Sequence, residues 1–513
     1  ALIAACGSVS TASGGQQDLA KTRQSQLEMA RFAECMGAHG ERLPNPTTSP
    51  RAFKNAFRTH PTPAFQSAYT VCRHLQPGGG PPNQAAAPDP GHVAAARTTS
   101  KMSGPGYAYT PRQLETAYGI LPLLNHGTNG HGETVVLPEL AEPQFPLPTS
   151  DIRRDLAAFD RLFRLPPARI RVVRNLARSA SPWQANGEEV LDTEVVHAIA
   201  PDASIIELLV KGNSLDSAAS AVLASVAAVR LGSSLSSVIS ISAAGQTGGE
   251  HCDTRAEVAV LHKALQTAAA RHVTVIAASG DIGVVGEPCQ VIKGLTGGVF
   301  APVKEANLPA ADPLVLAVGG TTLSAHRTTG TYLGERAWGL PFGQPGSQFQ
   351  ASGGGISRIF TRPGYQDHTP GIGRSRALPD VAGDASPQPG IAVVTATGGG
   401  YTISHHGGTS ASAPLWAGII ALADQYAGRR LGFVNAAIYR IGHSRLYHRA
   451  FHDITAGNNT VRFPPQTIRG YRATPGWDPV TGWGSPDAQV LVPLLAHSVH
   501  PDDANNLERR ARG

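Results

Sequence analysis

The 513-residue sequence is short of charged side chains, since Asp, Glu, Lys and Arg make up 16% of it against about a quarter in average globular proteins. A fold with few paired carboxylates loses little when acid protonates them, so the composition is compatible with acidic surroundings. The 43 basic residues outnumber the 37 acidic ones without forming a long basic stripe. This pattern argues against nucleic acid as a partner.

Long apolar runs and common metal motifs are also missing. No apolar run reaches the length of a membrane-spanning helix, so we expect no transmembrane span. The 19 histidines include no H-E-x-x-H motif, which makes a metallohydrolase a weak alternative. His405 and His406 are adjacent rather than on one helical face, and we interpret them as loop residues that contact substrate.

Cysteine is scarce, with five residues at Cys6, Cys35, Cys72, Cys252 and Cys289. One lies near the start, two follow in the N-terminal region and two come later. This distribution predicts two disulfides and one odd thiol, with buried free thiols as the alternative for each pair. The odd cysteine ends the stretch ALIAAC, which resembles a bacterial lipobox and would make it a lipid-carrying residue. A simple secretory remnant is the alternative.

Composition divides the chain into five segments. Residues 1–19 form the signal remnant and a small, polar tether, and residues 20–76 form a small helical module. In that module FAECMGAHGERLPNP and PAFQSAYTVCRHLQP resemble small actinobacterial cell-surface lipoprotein modules, with Cys35 and Cys72 placed to staple two helices. Residues 77–103 are a linker rich in Pro, Gly and Ala, 104–495 are the main domain, and 496–513 are a polar tail.

The main domain alternates apolar strands with amphipathic stretches. Five strand-like runs stand out: TVVLPEL, SIIELLV, SVISISA, VTVIAAS and LVLAVGG. Their alternation with helical segments predicts an α/β domain with a mainly parallel sheet. Loops at the carboxyl ends of such strands usually carry the chemistry, and several of these runs end in Gly, Ser or Asp.

The strongest motif is GGTSASAP, at residues 407–414, ahead of the helix-like run LWAGIIALADQYA. A serine at a helix start, here Ser410, lies where backbone N–H groups and the helix dipole favour developing negative charge. The alternative is a simple helix cap. Subtilisin-like and sedolisin-like enzymes share the pattern G-T-S-x-A-x-P, and they differ in the catalytic base.

A histidine base would have to come from His126, in the run NHGTNGHGE. In the subtilisin mechanism the histidine opens a helix, whereas here the loop runs directly into a strand, and no strand ending in a suitable aspartate precedes it. The sequence therefore argues against His126 as the base.

A carboxylate base is available in NGEEVLDTEVVHAIAP. Glu188 and Asp192 are four residues apart, so a helix places them on one face, while Glu189 points roughly 100° away. Two close carboxyl groups resist ionising together and share a proton, which suits a base that works in acid. A solvated acidic helix face is the alternative.

Another acid follows the strand VTVIAAS. Asp281, in Ser-Gly-Asp at the mouth of that strand, could stay protonated and donate a hydrogen bond to an oxyanion. A turn-capping aspartate is the alternative.

Glu-x-x-x-Asp, Ser-Gly-Asp and Gly-Thr-Ser-Ala-Ser, in this order over nearly four hundred residues, resemble the catalytic residues of the sedolisin family of serine-carboxyl peptidases. LPAADPLVLAVGGTTL, SGGGISRIF and LPDVAGDASP also look like family segments. The resemblance implies a subtilisin-like three-layer fold and endopeptidase or tripeptidyl-peptidase activity at acid pH. It implies that Ser410 is the nucleophile, Glu188 the general base, Asp192 its proton-sharing partner and Asp281 the oxyanion donor.

The C-terminal runs FHDITAGNN and TPGWDPVTGWGSPD resemble the family's calcium loop. The resemblance implies one structural Ca²⁺ bound by five residues: Asp453, Ile454, Thr474, Gly476 and Asp478. Calcium takes six or more oxygens, which carboxylates and backbone carbonyls supply. Thr474 stands where glycine is usual, and two turn-forming aspartates are the alternative.

Two features depart from the family pattern. Ala243 and Ala244 stand where many relatives carry Trp in Ser-x-Ser-Trp-Gly, although the outer carboxylate Glu139 is present. The first hundred residues do not resemble the large prodomain with which family members are made.

A surface protein that uses the scaffold to bind peptides without cleaving them is the rival hypothesis. We expect a monomer that acts on proteins or peptides, either secreted or anchored through Cys6 to the outer face of a bacterial membrane.

Overall fold

The computed structural model describes residues 36, 108–141, 151–175, 187–211, 214–229, 238–242, 248–287, 302–339, 350–397, 400–463, 466–500 and 502–504. The chain divides into two compact units, Ala1–Ser100 and Lys101–Gly513. Apart from Met36, the predicted helical module lies outside the described residues, as do the linker, the lipobox and four of the five cysteines. The described fold is therefore that of the second unit.

Seventeen strands are described in the second unit. They are β1 (Ala108–Tyr109), β2 (Thr134–Ala141), β3 (Arg169–Asn175), β4 (Ser204–Lys211), β5 (Val238–Ile241), β6 (Thr274–Ala278), β7 (Leu316–Ala325), β8 (Tyr332–Ala337), β9 (Gly355–Thr361), β10 (Ser375–Leu378), β11 (Val381–Asp384), β12 (Gly390–Thr397), β13 (Gly400–His406), β14 (Phe451–His452), β15 (Val461–Phe463), β16 (Gln466–Ile468) and β17 (Ser485–Pro486).

Ten α-helices are described in the same unit. They are α1 (Pro111–Ala117), α2 (Leu121–Asn125), α3 (Ile152–Phe163), α4 (Glu188–Ile199), α5 (Leu215–Val229), α6 (Arg255–Ala269), α7 (Thr409–Ala427), α8 (Asn435–Gly442), α9 (Tyr447–Ala450) and α10 (Ala488–Ser498).

The central sheet has eight strands in the order β11-β7-β6-β5-β2-β4-β3, with β8 paired to β7. Every neighbouring pair on that path is parallel, and only β8 is antiparallel. The five apolar runs of the sequence correspond to β2, β4, β5, β6 and β7, which lie side by side inside this sheet. The prediction of a mainly parallel α/β sheet is confirmed.

Helices cover both faces of the sheet, because a central parallel strand buries side chains on both of its faces. On one face, Val135, Leu137 and Ile205 pack with the buried residues of α4 and α7. On the other, Val136 and Leu208 pack against α5 and α6. The result is the three-layer arrangement that the sedolisin resemblance implied.

Strand order reverses between β2 and β5, since β3 and β4 extend the sheet to one side of β2 while β5, β6 and β7 extend it to the other. Open α/β sheets bind ligands beyond the carboxyl ends of the strands at such a point. Glu139 lies near the end of β2, and Ser242 directly follows β5. A site is therefore expected at this edge of the sheet.

The C-terminal boundary differs slightly from the prediction. Helix α10 continues to Ser498, three residues beyond the expected end of the domain at 495. Leu491, Val492 and Leu495 form the buried apolar face of this helix. The last helical turn continues beyond Leu495.

Candidate active site

Ser410 lies in the first turn of α7, directly after Thr409, at the positive end of the helix dipole. Its hydroxyl forms a hydrogen bond with the carboxyl group of Glu188 and lies 3.4 Å from the carbonyl oxygen of Ser242. Pro414 falls in the second turn and has no N–H to donate to the Ser410 carbonyl. The Ser242 hydroxyl lies 3.4 Å from that carbonyl oxygen instead.

Glu188 and Asp192 lie in the first two turns of α4, with the Glu188 carboxyl group on Ser410 and the Asp192 carboxyl group on Ser242. Asp192 is fully buried, so this face of the helix is not a solvated acidic surface. Burial raises the pKa of Glu188 to about 7, helped by the charges of Asp281 and Glu189 and opposed by the hydrogen bond from Ser410. Burial, followed by the charge of Glu188, raises the pKa of Asp192 well above its usual range. In acid, Asp192 therefore holds its proton.

Two further side chains hold Asp192 in place. The Ser242 hydroxyl donates a hydrogen bond of 2.7 Å to Asp192 Oδ2. Glu139 on β2 is 7% exposed and hydrogen-bonds to the same carboxyl group. Burial raises the pKa of Glu139 well above its usual range, with the charge of Asp192 as the next cause. The contact lowers the pKa of Asp192, as a hydrogen bond donated by Glu139 does. Ser410 is thus hydrogen-bonded to Glu188 and Asp192 to Glu139, and the charge of Glu188 acts on Asp192 between them.

Asp281 approaches the same helix start from the end of β6. Its Oδ1 accepts hydrogen bonds from the backbone N–H of Thr409 at 2.7 Å and from the Thr409 hydroxyl at 2.8 Å. Its Oδ2 faces Gly408, where an added β-carbon would lie 2.6 Å away. Gly408 also has a φ of +91°, which favours glycine. Burial raises the pKa of Asp281 despite the two bonds from Thr409.

A carboxyl group that the sequence did not reveal supports Asp281. Glu287 is 8% exposed, and its Oε1 accepts a hydrogen bond of 3.3 Å from the Asp281 backbone N–H. Asn307 links the two ends of this turn, because it accepts from the Glu287 N–H at 2.8 Å and donates to the Ser279 carbonyl at 2.9 Å. Sequence gives no sign of this support, since Glu287 and Asn307 lie in irregular segments.

The three histidines considered in the sequence analysis lie at an exposed helix end, for His126, and at the end of a strand, for His405 and His406. His126 follows α2 and is exposed, with its Nδ1 2.6 Å from the Pro122 carbonyl oxygen, whereas the carboxyl group on Ser410 is that of Glu188. His405 and His406 end β13 rather than lying in a loop, so that part of the interpretation is wrong. His406 nevertheless approaches the site, since its ring lies 3.9 Å from where a β-carbon on Gly187 would be.

The two carboxylates predicted to bind calcium lie in two C-terminal loops that contact each other, one after β14 and one before β17. The Gly476 N–H lies 3.1 Å from Asp453 Oδ1, and the Thr474 N–H lies 3.2 Å from Asp478 Oδ2. Asp478 is 1% exposed, and burial raises its pKa to about 6. Within the described residues, the carbonyl oxygens of Ile454, Thr474 and Gly476 accept no hydrogen bond. The residues therefore fit a cation bound by two carboxylates and free carbonyl oxygens.

Ala243, Ala244 and Cys289 lie outside the described residues, so the effect of the missing tryptophan and the Cys252–Cys289 pairing stay predictions. Among the described helices, none combines the length and apolar character needed to cross a bilayer. The four predicted catalytic side chains do lie in one cluster, and their roles stay a prediction.

Comparisons with known proteins agree with the resemblance seen in the sequence. The chain is 36% identical over 327 residues to kumamolisin from Bacillus sp. (strain MN-32), covering 62% of this chain and 52% of that protein. It is 33% identical over 225 residues to sedolisin from Pseudomonas sp. (strain 101), covering 44% and 35% respectively. It is 31% identical over 250 residues to tripeptidyl-peptidase 1 from Bos taurus, covering 45% and 38%.

These matches extend over about a half or less of each curated relative. A solved structure of Pseudomonas sedolisin, a serine-carboxyl proteinase complexed with two molecules of pseudo-iodotyrostatin, superposes with a TM-score of 0.60 at 25% identity. That match covers 77% of this chain and 99% of the solved one. No family model matches the chain.

Proposed function

Because the second unit of this chain is homologous to the sedolisin family of serine-carboxyl peptidases, we propose that it hydrolyses peptide bonds in acid through an acyl-enzyme on Ser410. The observation that carries the proposal is the hydrogen bond between Ser410 and Glu188, backed by the buried Asp192. A serine hydroxyl is a weak nucleophile unless an adjacent base takes its proton.

In the proposed first step, the Ser410 oxygen attacks the substrate carbonyl carbon while its proton passes to the Glu188 carboxylate. Asp192 keeps its own proton and hydrogen-bonds to its neighbours, so the negative charge before the step stays on Glu188. A histidine base would be protonated in an acidic medium. Burial raises the pKa of Glu188 to about 7, so its ionised form is a minor species in acid but a strong base, and it accepts the Ser410 proton.

The carbonyl oxygen of the substrate becomes an oxyanion in this step. Protonated Asp281 donates a hydrogen bond to it, held in place by Thr409 and close to the N-terminus of α7. Collapse of the tetrahedral intermediate transfers the proton from Glu188 to the leaving amine and leaves an ester on Ser410. Water, activated by Glu188, then hydrolyses this ester and restores the hydroxyl.

We further propose that Asp453, Ile454, Thr474, Gly476 and Asp478 bind one Ca²⁺ ion, which would neutralise the buried charge of Asp478 and tie two C-terminal loops together. Extracellular or surface-anchored action on protein substrates as a monomer, with internal cleavage rather than release of tripeptides, completes the proposal. A peptide with a blocked N-terminus separates the two activities, because a tripeptidyl-peptidase needs a free amino terminus.

The test is cleavage of denatured protein between about pH 3 and 8 by the unmodified chain, Ser410→Ala and Glu188→Gln. The exposed Ser324 provides a matched control, Ser324→Ala. We expect cleavage only in acid, its loss in the first two variants and its retention in the control. Folded, calcium-loaded protein that binds peptides at the site without cleaving them would favour the non-catalytic peptide-binding alternative.

A further inference from the structure

Two buried acids behind the proposed base system have no part in the mechanism above. Glu189, in the first turn of α4, and Glu207, in the middle of β4, are each 1% exposed. Strand register pairs Glu207 with Leu137 of β2 on one side and Val172 of β3 on the other. Alternation along β2 then places Glu139 on the same face of the sheet, two residues from Leu137.

Helix α4 packs on this face of β2 and β4. Glu189 precedes Asp192 by three residues, a spacing that brings side chains close together on a helix. The sequence predicted that Glu189 would point away from the proposed base system. In the structure α4 is buried on nearly all sides, so this carboxyl group also lies inside the protein.

The charges that act on Glu207 are acidic. Burial is followed by the charges of Glu189 and Asp192 as causes of its raised pKa, and the charge of Glu189 also acts on Glu188, Asp192 and Glu139. At the level of Glu207, β3 presents Val172. Neither carboxyl oxygen of Glu207 has a hydrogen-bond partner within the described part of the chain. A buried carboxylate without a partner is very costly, so Glu207 retains a proton.

We propose that Glu189 and Glu207 form an inner acid pair that keeps the proton on Asp192 and so confines the reactive negative charge to Glu188. Their mutual repulsion keeps the proton on Glu207, and the charge that Glu189 carries lies behind Asp192, where it opposes a second charge. Burial and the charge of Glu189 also raise the pKa of Glu207, consistent with this arrangement. Both are positioning residues, and the proposal rests on the proposed peptidase function.

The pair should set the pH range of activity. Removing a like charge lowers the pKa values of the remaining carboxyl groups. In Glu189→Gln/Glu207→Gln, Glu188 should ionise and Asp192 should lose its proton at lower pH. We therefore expect both limbs of the kcat/KM profile to move to lower pH by about one unit. In Glu189→Asp, which keeps a carboxyl group at both positions, the limbs should stay close to those of the unmodified chain.

Glu194→Gln is the matched control. Glu194 is also a 1% exposed acid on α4, but its Oε2 accepts from the Val394 N–H at 2.9 Å and it faces Asp155 and Asp160 rather than the pair. This variant should leave both limbs in place. Unmoved limbs in the double variant, or an equal movement in the control, would overturn the proposal.

A second readout needs no turnover. In a Ser410→Ala background, the unfolding free energy should fall less steeply between pH 5 and 8 in the double variant, because fewer protons are released on unfolding. If the unmodified chain shows no Ser410-dependent cleavage, the proposed function is refuted. The pH dependence of the unfolding free energy then still tests the acid pair by itself. An unchanged slope would then show that the two carboxyl groups hold no proton in the fold.

Discussion

Glu287→Gln removes a buried acid while keeping an oxygen for the Asp281 N–H, which Glu287 Oε1 accepts at 3.3 Å. The change should make stability less dependent on pH. Burial, followed by the charge of Asp281, raises the pKa of Glu287 from its ordinary 4.5 to about 7 in the folded chain. Ser410→Ala is the suitable background, because it prevents self-digestion under the proposed mechanism.

The sign and size of the effect follow from linkage. Below pH 4.5 the Glu287 carboxyl is neutral in both states, and its contribution to stability is fully present. As pH rises through 7 the unfolded chain gives up this proton more readily than the folded chain, so stability is lost. With each pKa unit equal to about 1.4 kcal/mol, the loss approaches about 3 kcal/mol above pH 7.

Urea unfolding at pH 4 and pH 8 measures this directly. The difference in unfolding free energy between Glu287→Gln and its background should shift by about 3 kcal/mol in favour of the variant from the lower to the higher pH. Asp216→Asn, at an exposed acid on α5, should show little shift. A difference that is the same at both pH values for Glu287→Gln would refute the claim that the fold holds this proton.

Three further predictions concern the site and its surroundings. Gly408→Ala places a β-carbon 2.6 Å from Asp281 Oδ2, so steady-state kinetics should show kcat lowered by about 100-fold with KM little changed; a kcat within twofold would contradict the role of Asp281. His126→Ala removes an exposed ring and should leave kcat/KM within about twofold, whereas a large loss would revive a histidine base. Added Ca²⁺ should raise the Tm of the unmodified chain but not of Asp478→Asn, and an equal rise in both would place the ion elsewhere.

The sheet was the most predictable part of the fold. The five apolar runs correspond to β2, β4, β5, β6 and β7 because buried parallel strands must be apolar on both faces. β3 escaped notice, since its arginines at 169, 171 and 174 interrupt the apolar pattern. β11, the run Val381–Asp384, is short and contains glycine, so nothing in its composition marks it as a strand.

The proposed catalytic side chains could be located because each sits in a short motif at a helix start or a strand end. Their supports could not, because Ser242, Glu207 and Glu287 come from elements that meet only in the folded chain. Glu189 shows the limit of helical spacing as a guide. Helical spacing predicted that the Glu189 side chain points away from Glu188 and Asp192. Because α4 is buried on nearly all sides, the Glu189 carboxyl group nevertheless lies inside the protein.

The central claim is that Ser410 becomes acylated, and intact-mass spectrometry after acid quenching tests it most directly. Incubated at about pH 4 with an activated peptide ester and then quenched, the chain should gain the mass of one acyl group, and peptide mapping should place it on Ser410. Ser410→Ala should gain none. Turnover without any covalent adduct, or an adduct on another residue, would contradict the account.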